Sequence, residues 1–250
     1  MEGSRSANLS EAVALVELAE QRGLSARILG GIAIALHCPS SGSEGLRRPY
    51  RDLDLVMDRR AGAKHADGVL ASFGYEPDMP FNALNARDGR RRYQSPAGRA
   101  VDVFLGKFRM CHDITLEERM SCDAPTLPVA DLLLTKAQIV EITPRDLVDL
   151  TCLLLDHPIG TDDAEAINSD RIAVTTGADW GLWRTVLVSL ERVRSNLAEL
   201  AIRSEERATV AGRIDELTRV LNTSPKTRLW KMRARVGERK RWYNLPEEPE

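Results

Sequence analysis

The stretch RPYRDLDLVMD, residues 48–58, decides how the rest of the chain is read. From 52 to 57 it has the aliphatic content of a short buried strand, yet it carries Asp52 and Asp54. Side chains alternate faces along a strand, so the two aspartates project from the same face. At roughly 6 to 7 Å and an effective dielectric near 20, Coulomb's law makes that pair repulsive by about 2 to 3 kcal/mol, before any desolvation. Something cationic is expected to offset the repulsion.

Upstream of this strand, Ser10 is placed to cap a helix that stops at Gly23, and SARIL (25–29) reads as a strand entering GGIAIALH. Gly30 and Gly31 then mark a strand-to-helix corner. The Ser, Gly and Pro of CPSSGSEGLRRPY (38–50) predict a surface loop. Downstream, a helix is expected over 61–72, followed by the breakers Gly74, Pro77 and Pro80. RRRYQ, the turn SPAG and RAVDVFLG predict a hairpin in which Asp102, between Val101 and Val103, is a third acid in a strand. The basic stretch RDGRRRYQ on that hairpin reads as a solvated edge. From Pro125 onward the pattern is helical: LPVADLLLTKAQIVE, TPRDLVDLTCLLLDH, then three further helices from about 179 to 241. We therefore divide the chain into 1–125 and a helical 126–250.

Composition excludes several classes. With 250 residues, 43% hydrophobic and 29% charged, the chain is neither disordered nor fibrous. No eighteen-residue apolar run is present, and MEGSRSANLSEAVALVELAEQRG mixes Glu into its apolar positions, so it reads as an amphipathic helix rather than a signal peptide. A cytoplasmic protein with no membrane partner is expected. Cys38, Cys111, Cys122 and Cys152 form no Cys-x-x-Cys pair, which argues for buried reduced thiols over a disulfide framework or a structural zinc site. A net charge of −2 gives no global field for nucleic acid.

Taken singly, Asp-x-Asp also fits charge on an edge strand, and Gly-Gly also fits a plain tight turn. The order glycine corner, Asp-x-Asp strand, separate strand aspartate, all within residues 30–102, is more specific. Three converging carboxylates repel strongly, and hard oxygen ligands suit Mg²⁺, which recruits substrate phosphates.

In LGGIAIALH, RDLDLV and AVDVF the sequence resembles the DNA polymerase β-like nucleotidyltransferase superfamily, in particular its bacterial AbiEii and MenT-like branch, over residues 25–155. The gap from Gly31 to Asp52 is longer than in compact members, so SSGSEG reads as an insertion. The resemblance implies a mixed sheet flanked by helices, and with the helical pattern that follows, the fold expected is α+β with an all-helical C-terminal domain after the sheet domain. It implies that Asp52, Asp54 and Asp102 bind two Mg²⁺ or Mn²⁺ ions, with Asp102 at the metal that activates the nucleophile. Gly30, Gly31, Arg51 and Lys136 are then the nucleotide-binding positions. The implied reaction is attack of an acceptor on the α-phosphate of an NTP, with pyrophosphate leaving. The acceptor class stays open among tRNA, protein and small molecule.

Lys136, alone among apolar neighbours, either reaches the triphosphate or snorkels to water. Thr143, Pro144 and Asp146 form a helix N-terminal capping arrangement, which accounts for Asp146. Residues 226–243 hold a basic run with Trp230, Trp242 and Tyr243 interleaved. These rings either stack on RNA bases or dock a solvated helix to its core. Besides the enzyme, two readings stand: a non-catalytic nucleotide or RNA binder of the same fold, and the toxin of a toxin–antitoxin pair using the same chemistry.

Overall fold

Strands β1 (Ala26–Leu29), β2 (Leu53–Met57), β3 (Glu76–Pro77), β4 (Arg90–Gln94) and β5 (Ala100–Leu105) form one sheet in the order β1-β2-β5-β4-β3. The computed structural model describes residues 2–50, 52–59 and 62–245. Only the β2–β5 pairing is parallel; the β1–β2, β5–β4 and β4–β3 pairings are antiparallel, so the sheet is mixed. Strand β2 lies inside the sheet, and Leu53, Leu55, Val56 and Met57 are all buried. Both of its faces are covered, which is why it reads as a near-continuous apolar run with Asp54 as the exception. Asp52 lies one residue ahead of the strand and is exposed.

The expected hairpin is present. Its turn closes through Gly98 N–H to the Ser95 carbonyl at 2.8 Å and Ser95 N–H to the Arg99 carbonyl at 2.9 Å. Gly98 sits at φ +78°, a left-handed position glycine occupies without strain. Helices α1 (Glu2–Gln21), α2 (Gly30–His37), α3 (Gly62–Ala71) and α4 (Met79–Leu84) pack with this sheet. Ala12, Leu15, Val16 and Ala19 recur at helical spacing on α1 and are buried, each larger side chain contributing about 1.5 to 3 kcal/mol.

Two local expectations are corrected here. Ser10 caps nothing, because α1 begins eight residues earlier; Asn8 donates to the Tyr50 carbonyl at 2.8 Å and Arg5 stacks on the Tyr50 ring, so tertiary contacts hold the extra turns. Pro80 starts a helix instead of breaking one: Asp78 accepts from Phe81 N–H as the N-cap, and proline is tolerated in a first turn.

The chain divides into two compact units, Met1–His37 with Arg48–Arg109 and Thr115–Pro128, and Cys38–Arg47 with Met110–Ile114 and Val129–Glu250. The second is helical: α5 (Val129–Ala137), α6 (Pro144–Asp156), α7 (Ser169–Ala178), α8 (Trp180–Asn196), α9 (Ser204–Thr223) and α10 (Arg228–Val236). A mixed sheet flanked by helices and a helical C-terminal region make the fold α+β. Helix α7 was not expected, whereas α6 starts with the capping box foreseen at Thr143 and Asp146. Its core is built from Leu132, Leu153, Val186, Leu190, Ile214 and Leu217.

The segment 38–47 is a surface loop only in part: Pro39, Ser43, Glu44 and Arg47 are exposed, but others of its residues are packed. Ser40 N–H donates to Asp156 at 2.9 Å, Ser41 and Leu46 are buried, and Gly45 lies so close to Ala201 that a Cβ would come within 2.1 Å of its carbonyl oxygen. All four cysteines are free thiols, three of them buried; Cys122 is exposed, contrary to expectation. Among the described residues, no helix is long and apolar enough to cross a membrane.

Candidate active site

Register assembles the site. Leu29 pairs with Asp54, Asp54 with Asp102, and Asp102 with Arg92, one row across four strands. Directly opposed residues share a face, so Asp54, Asp102 and Arg92 project side by side from neighbouring strands. Two residues along β4, Arg90 shares that face.

Gly30 follows β1 directly and opens α2 at φ +68°. A Cβ there would stand 2.1 Å from Asp54 Oδ2, so the missing side chain is the notch that receives the Asp54 carboxylate. Both the left-handed backbone and the close approach require glycine. Gly31 is filled differently: a Cβ would meet Arg48 Nη2 at 2.3 Å and the Tyr50 ring at 2.8 Å. The space expected to admit a triphosphate is thus lined by the chain's own groups, including a guanidinium at the start of α2 that stacks 4.2 Å above Tyr50.

Asp102 is enclosed by cations. Arg90 Nη2 donates to its Oδ2 at 2.6 Å, and Arg92 donates Nε to Oδ1 at 3.0 Å. Both guanidiniums lie over the Phe81 ring of α4, at 5.2 and 4.2 Å. The hydrogen bond to Asp102 holds Arg92 above its ordinary pKa, and the charges of Asp78 and Asp52 add to it. Asp52 therefore acts on the same guanidinium. The basic hairpin stretch is accordingly no solvated edge: β3 covers the far side of β4, Arg91 pairs with Asp67, and Arg90 and Arg92 are only 16% and 19% exposed.

Asp54 and Asp102 put hard carboxylate oxygens side by side, a donor chemistry that suits a divalent cation. Among the described residues, no group of three or more His, Cys, Asp or Glu side chains is arranged to hold a metal ion. The physical reason lies in the pairing just given, because both oxygens of Asp102 face guanidinium. A separate cleft lined by Asp58, Arg59, Glu117 and Glu118 lies past the C-terminal end of β2 and contains none of the candidate residues. Arg51, the remaining nucleotide-binding candidate of this strand, lies outside the described residues.

Lys136 belongs to the helical unit and neither snorkels nor stands alone. Its Nζ lies 2.9 Å from both Asp146 and Asp149, in a cluster where Asp149 is fully buried. Burial would lower the lysine pKa, but the two carboxylates overcome this and raise it. The same ammonium holds Asp146 below the usual carboxylate range against the opposing effect of burial.

In the C-terminal run the aromatic rings are engaged within their own unit. Trp230 packs edge-on against Trp183 at 5.2 Å, Trp242 against Trp180 at 6.1 Å, and Trp242 Nε1 donates to Thr185. Arg233 covers Trp180 and donates to the Gly237 and Lys240 carbonyls. Arg228, Lys231 and Arg235 remain exposed on one side of α10.

Sequence reading missed Arg48, Arg90 and Arg92. For the last two a signal existed: counting back from the SPAG turn aligns Arg92 with Asp102. Arg48 offered none, since its place over Gly31 depends on the path of residues 38–47.

No family model matches the chain, and no curated protein matches it. Among solved structures, an antigenic nucleotidyltransferase-like protein from Paracoccidioides brasiliensis is similar over 88% of this chain and 94% of its own, at 12% identity and a TM-score of 0.40. A likeness at that level leaves activity to be argued from the residues.

Proposed function

We propose that the protein is a metal-dependent nucleotidyltransferase that moves a nucleotide from an NTP to an acceptor group and releases pyrophosphate. The observation that carries this reading is the alignment of Gly30, Asp54 and Asp102 on one sheet face, with Asp52 just ahead of β2. Mg²⁺ or Mn²⁺, held by Asp54 and Asp52 with Asp102, would supply neutralisation of charge on the phosphates. Transfer of this kind asks mainly for alignment and charge stabilisation, which this face can give. In the reaction the acceptor oxygen bonds to the α-phosphorus, the bond to the bridging oxygen breaks, and pyrophosphate departs with that electron pair. Asp102 receives the acceptor's proton. Arg48, whose guanidinium lies beside Gly31 at the start of α2, would orient the polyphosphate within the same unit.

Lys136 enters this proposal as a support for its own helical unit, because its two carboxylate partners account for the ammonium. Contact of RNA with 226–243 would fall to the exposed Arg228, Lys231 and Arg235 and not to the docked tryptophans. One observation favours the non-catalytic alternative, namely that Asp102 is already compensated by Arg90 and Arg92.

Incubation with each α-labelled NTP, Mg²⁺ or Mn²⁺ and a cell extract tests the proposal. Label is expected on an RNA, a protein or a metabolite with the wild type and not with Asp54→Asn. Absence of label with all four nucleotides would leave the non-catalytic reading in its place.

A further inference from the structure

We infer that Arg90 and Arg92 are an exchangeable counter-cation for Asp102, so that uptake of a divalent cation and release of two guanidiniums toward a polyphosphate are one coupled event. The inference rests on the nucleotidyltransferase reading and adds its regulation. On this face Asp102 carries both guanidiniums, with Asp54 directly across from it on β2. A divalent cation on Asp102 would compete for the same oxygens, and the arginines would then experience repulsion where they had a partner.

The guanidiniums have support on this face besides Asp102. The main chain of Arg92 is pinned to α4: its N–H donates to Asn82 Oδ1 at 2.7 Å, and its carbonyl accepts from Asn82 Nδ2 at 3.1 Å and from Asp78 N–H at 2.9 Å. The side chain alone is left to move. Phe81, on the same helix, presents a ring face to both guanidiniums while they are paired with Asp102, a contact that stabilises a cation without neutralising it and that does not depend on the carboxylate. A guanidinium resting there still offers its donors to phosphate oxygens. Lys at either position would lack this geometry, since an ammonium is a point charge without a planar fork.

Two competitive occupancies of one carboxylate make opposite predictions for metal and for polyphosphate. The test is titration of the purified full chain with Mn²⁺, followed by free-Mn²⁺ spin resonance, and separately with inorganic pyrophosphate in EDTA, followed by calorimetry. For Arg90→Gln/Arg92→Gln we expect Mn²⁺ to bind about tenfold more tightly and pyrophosphate about tenfold more weakly, within the usual range of coupled sites. Asp102→Asn removes the carboxylate that both guanidiniums share and should bind pyrophosphate in EDTA more tightly than the wild type while binding Mn²⁺ more weakly. If the double variant does not fold, Arg92→Gln and Asp102→Asn carry the same two readouts. Mn²⁺ affinity unchanged within about twofold on removal of the arginines, or weaker pyrophosphate binding in Asp102→Asn, overturns the inference. Reciprocal shifts without label transfer from any NTP would sustain the exchange and refute the nucleotidyltransferase reading; transfer without those shifts would do the reverse.

Discussion

Asp54 on β2 stands directly across from Asp102 on β5 in a parallel register, and the antiparallel pairing of β5 with β4 sets Arg92 opposite Asp102 on its other side. The two acids are neighbours in space but not equals, because one rests in the Gly30 notch and the other between guanidiniums. Their amide variants should therefore part company. Asp54→Asn is expected to abolish transfer with stability within about 1 kcal/mol of wild type, whereas Asp102→Asn removes the carboxylate that Arg90 and Arg92 share and should cost about 1 to 3 kcal/mol. Urea denaturation beside the label assay measures both, and equal stability losses would contradict the asymmetry.

Gly30→Ala is expected to lose both stability and activity. The new methyl meets Asp54 Oδ2, and alanine at φ +68° is strained. We expect at least about 1 to 2 kcal/mol from the backbone alone. Gly23→Ala serves as the control: its φ is +75° but nothing lies near the added Cβ, so it should be destabilised while keeping activity.

How much of this was legible in the sequence depends on the reach of each interaction. The β1–α2 corner, β2 and the hairpin are set by neighbours a few residues apart, and pattern and turn chemistry find them. Helix α4 was equally local but was masked by weighing Pro80 as a breaker without Asp78 as its cap. What stayed hidden is long-range. The extra turns of α1 depend on Tyr50, the packing of Ser40 on Asp156, and the place of Arg48 on Gly31. Lys136 lay between: a sequence separation of ten residues from Asp146 becomes a contact only once α5 and α6 pack together.

That cluster supports a third prediction. Lys136→Met removes the ammonium that two buried carboxylates share and should destabilise the chain by about 3 to 5 kcal/mol, and Asp149→Asn should do less because Asp146 keeps the ammonium paired. Thermal melting checks the ranking. A raised KM for NTP with unchanged melting would restore the phosphate-contact role for Lys136.

Stability should also fall on the acid side of neutrality through His112. The ring is buried, with Nε2 2.9 Å from Thr185 Oγ1, and burial lowers its pKa from 6.5 against the smaller opposing effects of Asp179 and Asp113. The unfolded chain then takes up a proton before the folded chain does. Stability is complete above pH about 6.5 and declines as pH drops through the window between the unfolded and folded values. His112→Gln is expected to flatten that decline in a pH series of melting temperatures, and an unchanged slope would assign it elsewhere.

On α10, replacing Arg228, Lys231 and Arg235 by Gln should lower the salt slope of tRNA binding by up to about three units. Trp230→Ala should act on stability instead, by about 3 kcal/mol, since the ring is packed on Trp183. No filter binding of tRNA at about 50 mM salt would end the RNA role of this surface.

The assignment of residues 38–47 and 110–114 to the helical unit constrains synthesis as well as structure. A ribosome emits both segments long before the residues that receive them: Ser40 waits for Asp156, His112 for Thr185, and Gly45 for Ala201. Neither unit can be cut out at a single peptide bond. A fragment ending at residue 125 would carry Ser41, Leu46 and His112, all buried in the whole chain, with their packing partners missing. Residues 38–47 and 110–114 thus meet the rest of their unit only when the C-terminal helices have left the exit tunnel.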